Sequence, residues 1–187
     1  LRAHYDAELA YVDSQVGRLL AGLTERGLRA NTLIVLTSTH GMQLFDHGGL
    51  GDSQTLHDEL LHVPLLLAGP EVEPGLNEVG ASLIDLAPTL CEYLGLDVPE
   101  VMQGSPVQAL RVEGGRILFS ETDRIRRRRA AMDERHKVIL DLESGEVSMF
   151  DLIDDPDEVH DLADNPKFRG HRALLEAALE RFMVSHD

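Results

Sequence analysis

The segment Leu33-Ile34-Val35-Leu36-Thr37-Ser38-Thr39-His40-Gly41 decides the fold class of this chain. An apolar run ends here in small polar residues, one histidine and one glycine. A buried parallel strand has this pattern where it delivers side chains to the carboxyl edge of an open α/β sheet. Such edges are where α/β sheets bind ligands. The segment therefore predicts an α/β fold with Thr39 and His40 at the edge of a binding site.

Composition and charge exclude several classes of protein. The chain has 187 residues, of which 43% are hydrophobic, and this is enough for a packed core. Its formal net charge is −16, from 17 basic and 33 acidic residues, and so acidic a chain is poorly suited to neutralise the phosphates of a nucleic acid. No apolar run approaches the roughly 18–20 residues that cross a bilayer. We therefore expect no nucleic-acid partner and no membrane span.

Residues 1–110 follow the order of a layered α/β unit. An amphipathic helix that ends near Gly27 precedes the strand. Its apolar stripe comprises Leu9, Val12, Val16, Leu19, Leu20 and Leu23. A glycine-rich loop follows the strand, and a second apolar run at residues 62–68 predicts the next strand. Asp85 is placed to cap a short helix that ends at Gly95, so residues 1–110 are predicted to form one α/β region.

The remaining residues, 111–187, show a different pattern. A small antiparallel sheet is predicted from four short runs of β-forming residues, at residues 117–120, 124–132, 137–140 and 146–150. Ser144-Gly145 suits a hairpin turn between the last two strands. A closing helix is predicted from Pro166, with an apolar stripe that comprises Leu174, Leu175, Ala178, Leu179, Phe182 and Met183. The sequence thus predicts a second, smaller region over residues 111–187.

Four motifs, in this order, resemble the C-terminal portion of a sulfatase of the alkaline phosphatase superfamily. The first lies in the opening helix at residues 5–13, and the second is the segment 31–41 that ends in His40-Gly41. The third lies at residues 82–90, and the fourth runs from Phe150-Asp151-Leu152 through Asp155-Pro156-Asp157-Glu158 to Asp161-Leu162-Ala163. The resemblance implies an alkaline-phosphatase-like partial parallel sheet with flanking helices, followed by the small antiparallel sheet and the closing helix.

The resemblance also implies a reaction. In sulfatases, a cysteine or serine in a Cys/Ser-x-Pro/Ala-x-Arg motif is modified to formylglycine, whose hydrate attacks the sulfur of a sulfate ester. A Ca²⁺ or Mg²⁺ ion held by carboxylates neutralises the sulfate oxygens. This chain contains no such motif, since its single cysteine, Cys91, is followed by Glu92-Tyr93. The N-terminal Asp-Asp pair that holds the metal belongs to a part of the family fold that precedes the four motifs.

The site residues that the resemblance assigns to this chain depart from the family pattern. His40 matches a metal-binding position, with a hydrogen-bonding residue at the strand end as the alternative. Thr39 stands where the family has an aspartate, so the site loses a negative charge. Asp52 follows Gly51 where the family often has a lysine or histidine that contacts the sulfate. A carboxylate at this substrate-binding position would repel sulfate. The expected cofactor is Ca²⁺ or Mg²⁺, as in the parent family, and the alternative is that this chain binds no metal.

Several other features have both a functional and a structural interpretation. His47 resembles the histidine of a family Glu/Asp-His-Gly stretch, which makes it a candidate catalytic or pocket-lining residue, with loop structure as the alternative. The basic run from Arg124 to Arg129 is an anion-binding patch or, as we favour, part of a strand pair. The acidic segment 151–164 lacks an EF-hand pattern, so we expect a solvated loop. No zinc motif fits the spacing of His40, His47, His57 and His62.

The sequence leads to one functional hypothesis with two alternatives. By resemblance, the chain is part of a sulfatase-like hydrolase of small-molecule or glycan sulfate esters, with a degenerate metal site and no activity as an isolated chain. A phosphonate or phosphate ester hydrolase of the same superfamily is one alternative, because one scaffold supports both chemistries. A non-catalytic assembly or regulatory domain is the other. Apolar surface left exposed by a missing N-terminal half predicts self-association or binding to that half.

Overall fold

The computed structural model describes residues 1–52, 55–77, 79–110 and 115–186, and it confirms the α/β fold class with a small antiparallel sheet and a closing helix. The helices are α1 (Arg2–Glu25), α2 (Asp58–Leu61), α3 (Leu86–Tyr93) and α4 (Arg169–His186). The strands are β1 (Ile34–Thr37), β2 (Gln43–Leu44), β3 (Leu50–Gly51), β4 (Leu65–Ala68), β5 (Leu118–Thr122), β6 (Arg128–Met132), β7 (His136–Asp141) and β8 (Val147–Asp151). No helix in these ranges is long and apolar enough to cross a membrane.

Strand β1 pairs with β4, and this pairing is antiparallel where the sequence predicted a parallel sheet. Ile34 lies opposite Ala68, and Thr37 lies opposite Leu65. The connection from Thr37 to Leu65, which contains β2, β3 and α2, therefore starts and ends at the same end of the pair. A parallel partner would need a crossover to the opposite end. Periodicity identified both strands but carried no information on their relative direction.

The principal hydrophobic core lies between the sheet β5-β6-β7-β8, whose neighbouring strands are all antiparallel, and helix α4. Its most buried members, each at most 1% exposed, are Ala131, Val138, Met149, Leu175 and Leu179. Leu174 was predicted to share the apolar stripe of α4, but it is 52% exposed. Successive residues of an α-helix are about 100° apart, so Leu174 cannot face the sheet in the same direction as the buried Leu175.

The opposite face of the same sheet forms a second, smaller core. Because successive side chains of a strand point to opposite faces, Ala130, Ile139 and Phe150 lie on this side. They pack against Leu56, which lies in the segment just before α2. The sheet is thereby attached to the loop that follows β1 and carries the candidate site residues.

Helix α1 packs little against the rest of the described structure. None of its residues is buried, and the predicted stripe residues Leu9, Val12 and Leu19 are each more than half exposed. The helix is therefore present where the sequence predicted it, but its apolar face has no extensive contact within the described residues. The self-association expected from such a face stays a prediction.

Two buried ion pairs connect residues before and after the predicted division at residue 110. Asp85 pairs with Arg116, and its side chain is fully buried. Lys137 pairs with Asp58, and its side chain is also fully buried. The division into residues 1–110 and 111–187 stays a prediction, and these two pairs are among several polar links across it.

Candidate functional site

Thr39 and His40 follow the carboxyl end of β1, and both are exposed. The Ser38 hydroxyl donates to the His40 carbonyl over 2.7 Å, which fixes the turn that presents them. Gly41 then passes so close to α2 that a Cβ at this position would lie 2.0 Å from the Glu59 carbonyl oxygen. Its N–H donates to the Leu60 carbonyl over 2.8 Å. Glycine is thus required after His40 because two backbone segments meet there.

His40 and Asp52, which the sequence assigned to metal and substrate binding, are brought together. The Nδ1–H of His40 donates to the Gly41 carbonyl over 2.7 Å, which leaves Nε2 facing Asp52 Oδ2 at 3.6 Å. Arg124 pairs with the same carboxylate, with Nη1 3.2 Å from Oδ1. The three side chains are each between 42% and 67% exposed, so they line an open surface and not a closed pocket. Arg124 belongs to the basic run of residues 124–129. The interpretation of this run as part of a strand pair holds for Arg128 and Arg129, which lie in β6.

The described residues around Thr39 do not fit a Ca²⁺ or Mg²⁺ site. Such ions take about six to eight oxygen ligands or an octahedral oxygen shell, with several carboxylates. Thr39 offers a neutral hydroxyl, His40 offers a nitrogen, and the charge of Asp52 is balanced by Arg124. Among the described residues, the two clusters whose side chains could together hold a metal ion contain neither Thr39 nor His40. Within the part of the chain that the structure describes, Thr39 and His40 therefore lack the set of oxygen ligands that either ion requires.

His47 lies in a different, partly buried cluster that contains none of the other three assigned residues. Its Nδ1 donates to Glu59 Oε1 over 2.9 Å, and its Nε2 donates to the Glu158 carbonyl over 3.2 Å. Its ring stacks on His57, with ring centroids 3.7 Å apart and planes at 6°. Both ring nitrogens are thus used within the protein. A catalytic role for His47 stays a prediction, and it would require one of these hydrogen bonds to break.

The pKa values of the two stacked histidines are shifted in opposite directions. Burial lowers the pKa of His47, but the hydrogen bonds to Glu59 and to the Glu158 carbonyl outweigh this effect, and the pKa is raised overall. Both acceptors need a proton on the nitrogen that faces them, which favours the imidazolium form. For His57, burial and then the neighbouring charge of His47 lower the pKa from 6.5 to about 4. The two shifts therefore favour the charged form of His47 and the neutral form of His57.

This difference predicts a pH effect on stability. Between pH 6.5 and about 4, unfolded His57 takes up a proton that the folded chain does not accept, so the free energy of unfolding falls as the pH falls. When the pH is lowered from 7 to 4.5, we expect the free energy of unfolding of His57→Phe to fall by about 2 kcal/mol less than that of the unchanged chain. Urea unfolding at pH 7 and pH 4.5 would measure it.

His62→Phe is the matched control for this prediction, because the side chain of His62 is 82% exposed. The contribution of His47 to stability has the opposite pH dependence. Because its pKa is raised, this contribution is present below the unfolded pKa and is lost as the pH rises through the folded value. Its contribution remains in both variants. An unchanged pH dependence in His57→Phe would show that His57 is protonated in the folded chain.

The sequence did not reveal the buried carboxylates and lysine that support this cluster. Lys137 Nζ lies 2.6 Å from Asp58 Oδ1 and 2.8 Å from Glu158 Oε1. Glu158 Oε2 also accepts the N–H of Asp58 over 2.6 Å. The prediction of a solvated acidic loop at residues 151–164 is wrong for Asp151 and Glu158, which are 4% and 2% exposed. The sequence signal that could have indicated this cluster is Lys137, a lysine within a strand of mainly apolar residues.

Comparison with known proteins places this arrangement in a family. The family model described as Sulfatase matches residues 1–96, slightly more than half of the chain. The chain belongs to the sulfatase family. Choline-sulfatase of Rhizobium meliloti is 30% identical over 187 residues, which cover 94% of this sulfatase-family chain and 36% of that protein. The chain thus spans little more than a third of the length of this curated relative.

Solved structures match the sulfatase-family chain to a similar extent. The structure of BT4656 in complex with its substrate D-glucosamine-2-N,6-O-disulfate is 26% identical with a TM-score of 0.78, and the match covers 93% of this chain and 38% of that one. The phosphonate monoester hydrolase of Agrobacterium radiobacter is 27% identical with a TM-score of 0.78, and this match covers 100% and 42% of the two chains. Structural similarity alone therefore does not separate sulfate from phosphonate chemistry.

Proposed function

We propose that this chain contributes one wall of the substrate site of a hydrolase that acts on organic sulfate monoesters. Membership of the sulfatase family supports the proposal, together with the position of His40 and Asp52 after the carboxyl end of β1. Choline-sulfatase and the glucosamine disulfate complex suggest a small polar alcohol or a sulfated sugar as the substrate class. Thr39, His40 and Asp52 are the residues that we expect nearest the sulfate group.

We further propose that the chain by itself does not turn over such esters. The sequence contains no nucleophile motif of the Cys/Ser-x-Pro/Ala-x-Arg type, and the residues at Thr39 do not fit the family's metal. Asp52 repels the anionic sulfate group of such an ester, and it also pairs with Arg124, a cation that would otherwise attract this group. We therefore expect the wall to lack the net positive charge that a sulfate site needs.

The experiment is a charge reversal at the proposed sulfate position. We expect Asp52→Lys to bind inorganic sulfate at least about tenfold more tightly than the unchanged chain, because a repelling carboxylate is replaced by an ammonium group beside Arg124. Histidine NMR signals, with that of His40 identified by its loss in His40→Ala, would follow a sulfate titration at constant ionic strength. Asp97→Lys, which makes the same charge change at another exposed position, is the control.

An equal gain in Asp97→Lys, or no shift of the His40 signal, would contradict the placement of the site. Turnover of 4-nitrophenyl sulfate by the unchanged chain, with or without Ca²⁺ or Mg²⁺, would contradict the proposed inactivity. Turnover that survives His40→Ala would contradict the site as well.

A phosphonate or phosphate ester hydrolase is the second candidate. It is favoured by the match to the phosphonate monoester hydrolase, which extends over the whole chain. Titration of Asp52→Lys with phenylphosphonate at the same ionic strength compares the two anions directly. Tighter binding of phenylphosphonate than of sulfate would favour the second candidate.

A further inference from the structure

A group of three potential metal ligands lies between the antiparallel sheet and the closing helix. Asp133 lies in the turn between β6 and β7, and His136 is the first residue of β7. His171 lies in the first turn of α4. One ligand atom from each residue lies within 4.8 Å of those of the other two. The group shares no residue with the proposed sulfate site.

His136 is the unusual member of this group. The residue is 7% exposed, and neither buried ring nitrogen has a hydrogen-bond partner among the described residues. The nearest carboxylate, that of Asp151, has Oδ2 3.8 Å from Nε2, which is beyond hydrogen-bond range. Buried polar groups are normally hydrogen-bonded, because an unsatisfied group keeps its full desolvation cost. A buried imidazole with two unused nitrogens needs an explanation that the protein atoms do not provide.

The other two ligands are held in place by local structure. Asp133 Oδ1 accepts the backbone N–H groups of Arg135 and His136, each over 2.8 Å, which fixes its carboxylate on the turn. Its other oxygen, Oδ2, lies 2.6 Å from Nε2 of His171. The ring of His171 in turn lies 4.4 Å from that of His136, measured between centroids. The turn therefore positions two of the ligands, and helix α4 brings the third against them.

We propose that Asp133, His136 and His171 bind a divalent transition-metal ion, with Zn²⁺ as the best match. Two imidazoles and one carboxylate are typical zinc ligands, whereas Ca²⁺ and Mg²⁺ prefer oxygen alone. Zinc bonds of about 2.0–2.2 Å in a tetrahedron require donor atoms about 3.3 Å apart, so the contact between Asp133 and His171 must widen slightly. Three protein ligands leave one position for water. The ion would also give His136 the partner that it lacks.

The surroundings are compatible with a cation. Arg135 lies in the same turn, but its guanidinium binds the carboxylates of Asp151 and Asp154. Asp151 is buried, and its Oδ2 lies 3.8 Å from Nε2 of His136, where a second carboxylate commonly orients a metal-binding histidine. A bound ion would join α4 to the β6–β7 turn and so stabilise the packing of helix on sheet.

The test is titration of the metal-free chain with zinc chloride by calorimetry, with Co²⁺ absorption as a second readout of coordination. We expect one equivalent to bind, the absorption bands of four-coordinate Co²⁺ to appear, and the Tm to rise. His171→Ala is expected to weaken binding by at least about tenfold. Asp133→Asn keeps the turn hydrogen bonds through Oδ1 and should weaken binding as well. His160→Ala is the matched control, because His160 also pairs with an aspartate but is 77% exposed.

Four results would overturn the proposal. The first is the absence of stoichiometric binding, and the second is unchanged affinity in His171→Ala. The third is loss of binding in His57→Phe but not in His171→Ala, which would assign the metal to His47, His57 and Glu59 instead. His136→Asn, checked for folding by circular dichroism, provides a further variant, and retained affinity in it would also contradict the site.

Discussion

Replacement of Lys137 by methionine is expected to destabilise the chain by about 3–5 kcal/mol, because it removes one partner of a buried ion pair. The side chain of Lys137 is fully buried, and that of Glu158 is 1% exposed. Methionine fills a similar volume but leaves the carboxylate of Glu158 without its cation. Urea unfolding at pH 7 would measure the loss.

The pH dependence of this variant tests the mechanism. Burial, despite Lys137 and the hydrogen bond from the Asp58 amide, raises the pKa of Glu158. Without Lys137 the pKa should rise further, so protonation can relieve the buried charge as the pH falls. We therefore expect the deficit of Lys137→Met to shrink between pH 7 and pH 5, and the added substitution Glu158→Gln to recover part of it at pH 7.

Lys167→Met is the matched control, since Lys167 is exposed and is the only other lysine of the chain. It should change the free energy of unfolding by less than about 0.5 kcal/mol. A similar loss in both variants, or a deficit of Lys137→Met that grows at pH 5, would show that the charge of Glu158 is not the cause.

Replacement of Asp85 by alanine is expected to cost about 3–4 kcal/mol, because it leaves several donors unsatisfied at once. The Asp85 carboxylate accepts two hydrogen bonds from Arg116, at 2.5 and 2.9 Å. It also accepts the backbone N–H groups of Ser82 and Ser105. Asp85→Asn, which retains one acceptor oxygen but no charge, should lose less than alanine. Thermal and urea unfolding would rank the three proteins.

The same carboxylate predicts acid sensitivity. Burial raises the pKa of Asp85, but the hydrogen bonds from Arg116, Ser105 and Ser82 outweigh it, so the pKa is lowered overall. Its stabilising effect is therefore complete above the unfolded pKa of about 3.9 and is lost as the pH falls through the folded value. Asp97→Ala, at an exposed position near the end of α3, is the control. Equal losses in Asp85→Ala and Asp97→Ala would rule out this role of the carboxylate.

Asp85 also shows how far local patterns can be interpreted. The sequence identified it as the cap of a short helix, and helix α3 does begin at the next residue. Its side chain, however, makes no cap hydrogen bond to α3 and instead binds Ser82, Ser105 and Arg116. The local signal located the helix start correctly. The distant partner, 31 residues along the chain, could not be predicted from it.

In the candidate site, too, local sequence predicted some features and tertiary contacts decided others. Resemblance assigned four residues, and the structure brings two of them, His40 and Asp52, within 3.6 Å of each other. His47 lies between His40 and Asp52 in the sequence, but in the structure it belongs to a separate cluster with Glu59 and His57. Spacing along a loop does not specify which side chains face one another, because the loop path depends on what it packs against.

The sequence by itself determined the order of the longer helices and strands and the position of His40 after a strand, and its motifs identified the family, but strands β2 and β3 and helix α2 were not predicted. These follow from short-range physics, since periodicity, turn residues and motifs act over a few residues. Only the tertiary structure decided the antiparallel pairing of β1 with β4, the burial of Lys137, and the approach of His171 to Asp133. Lys137 and Asp58 are 79 residues apart, and such contacts depend on strand direction, register and packing, which local residue patterns do not encode.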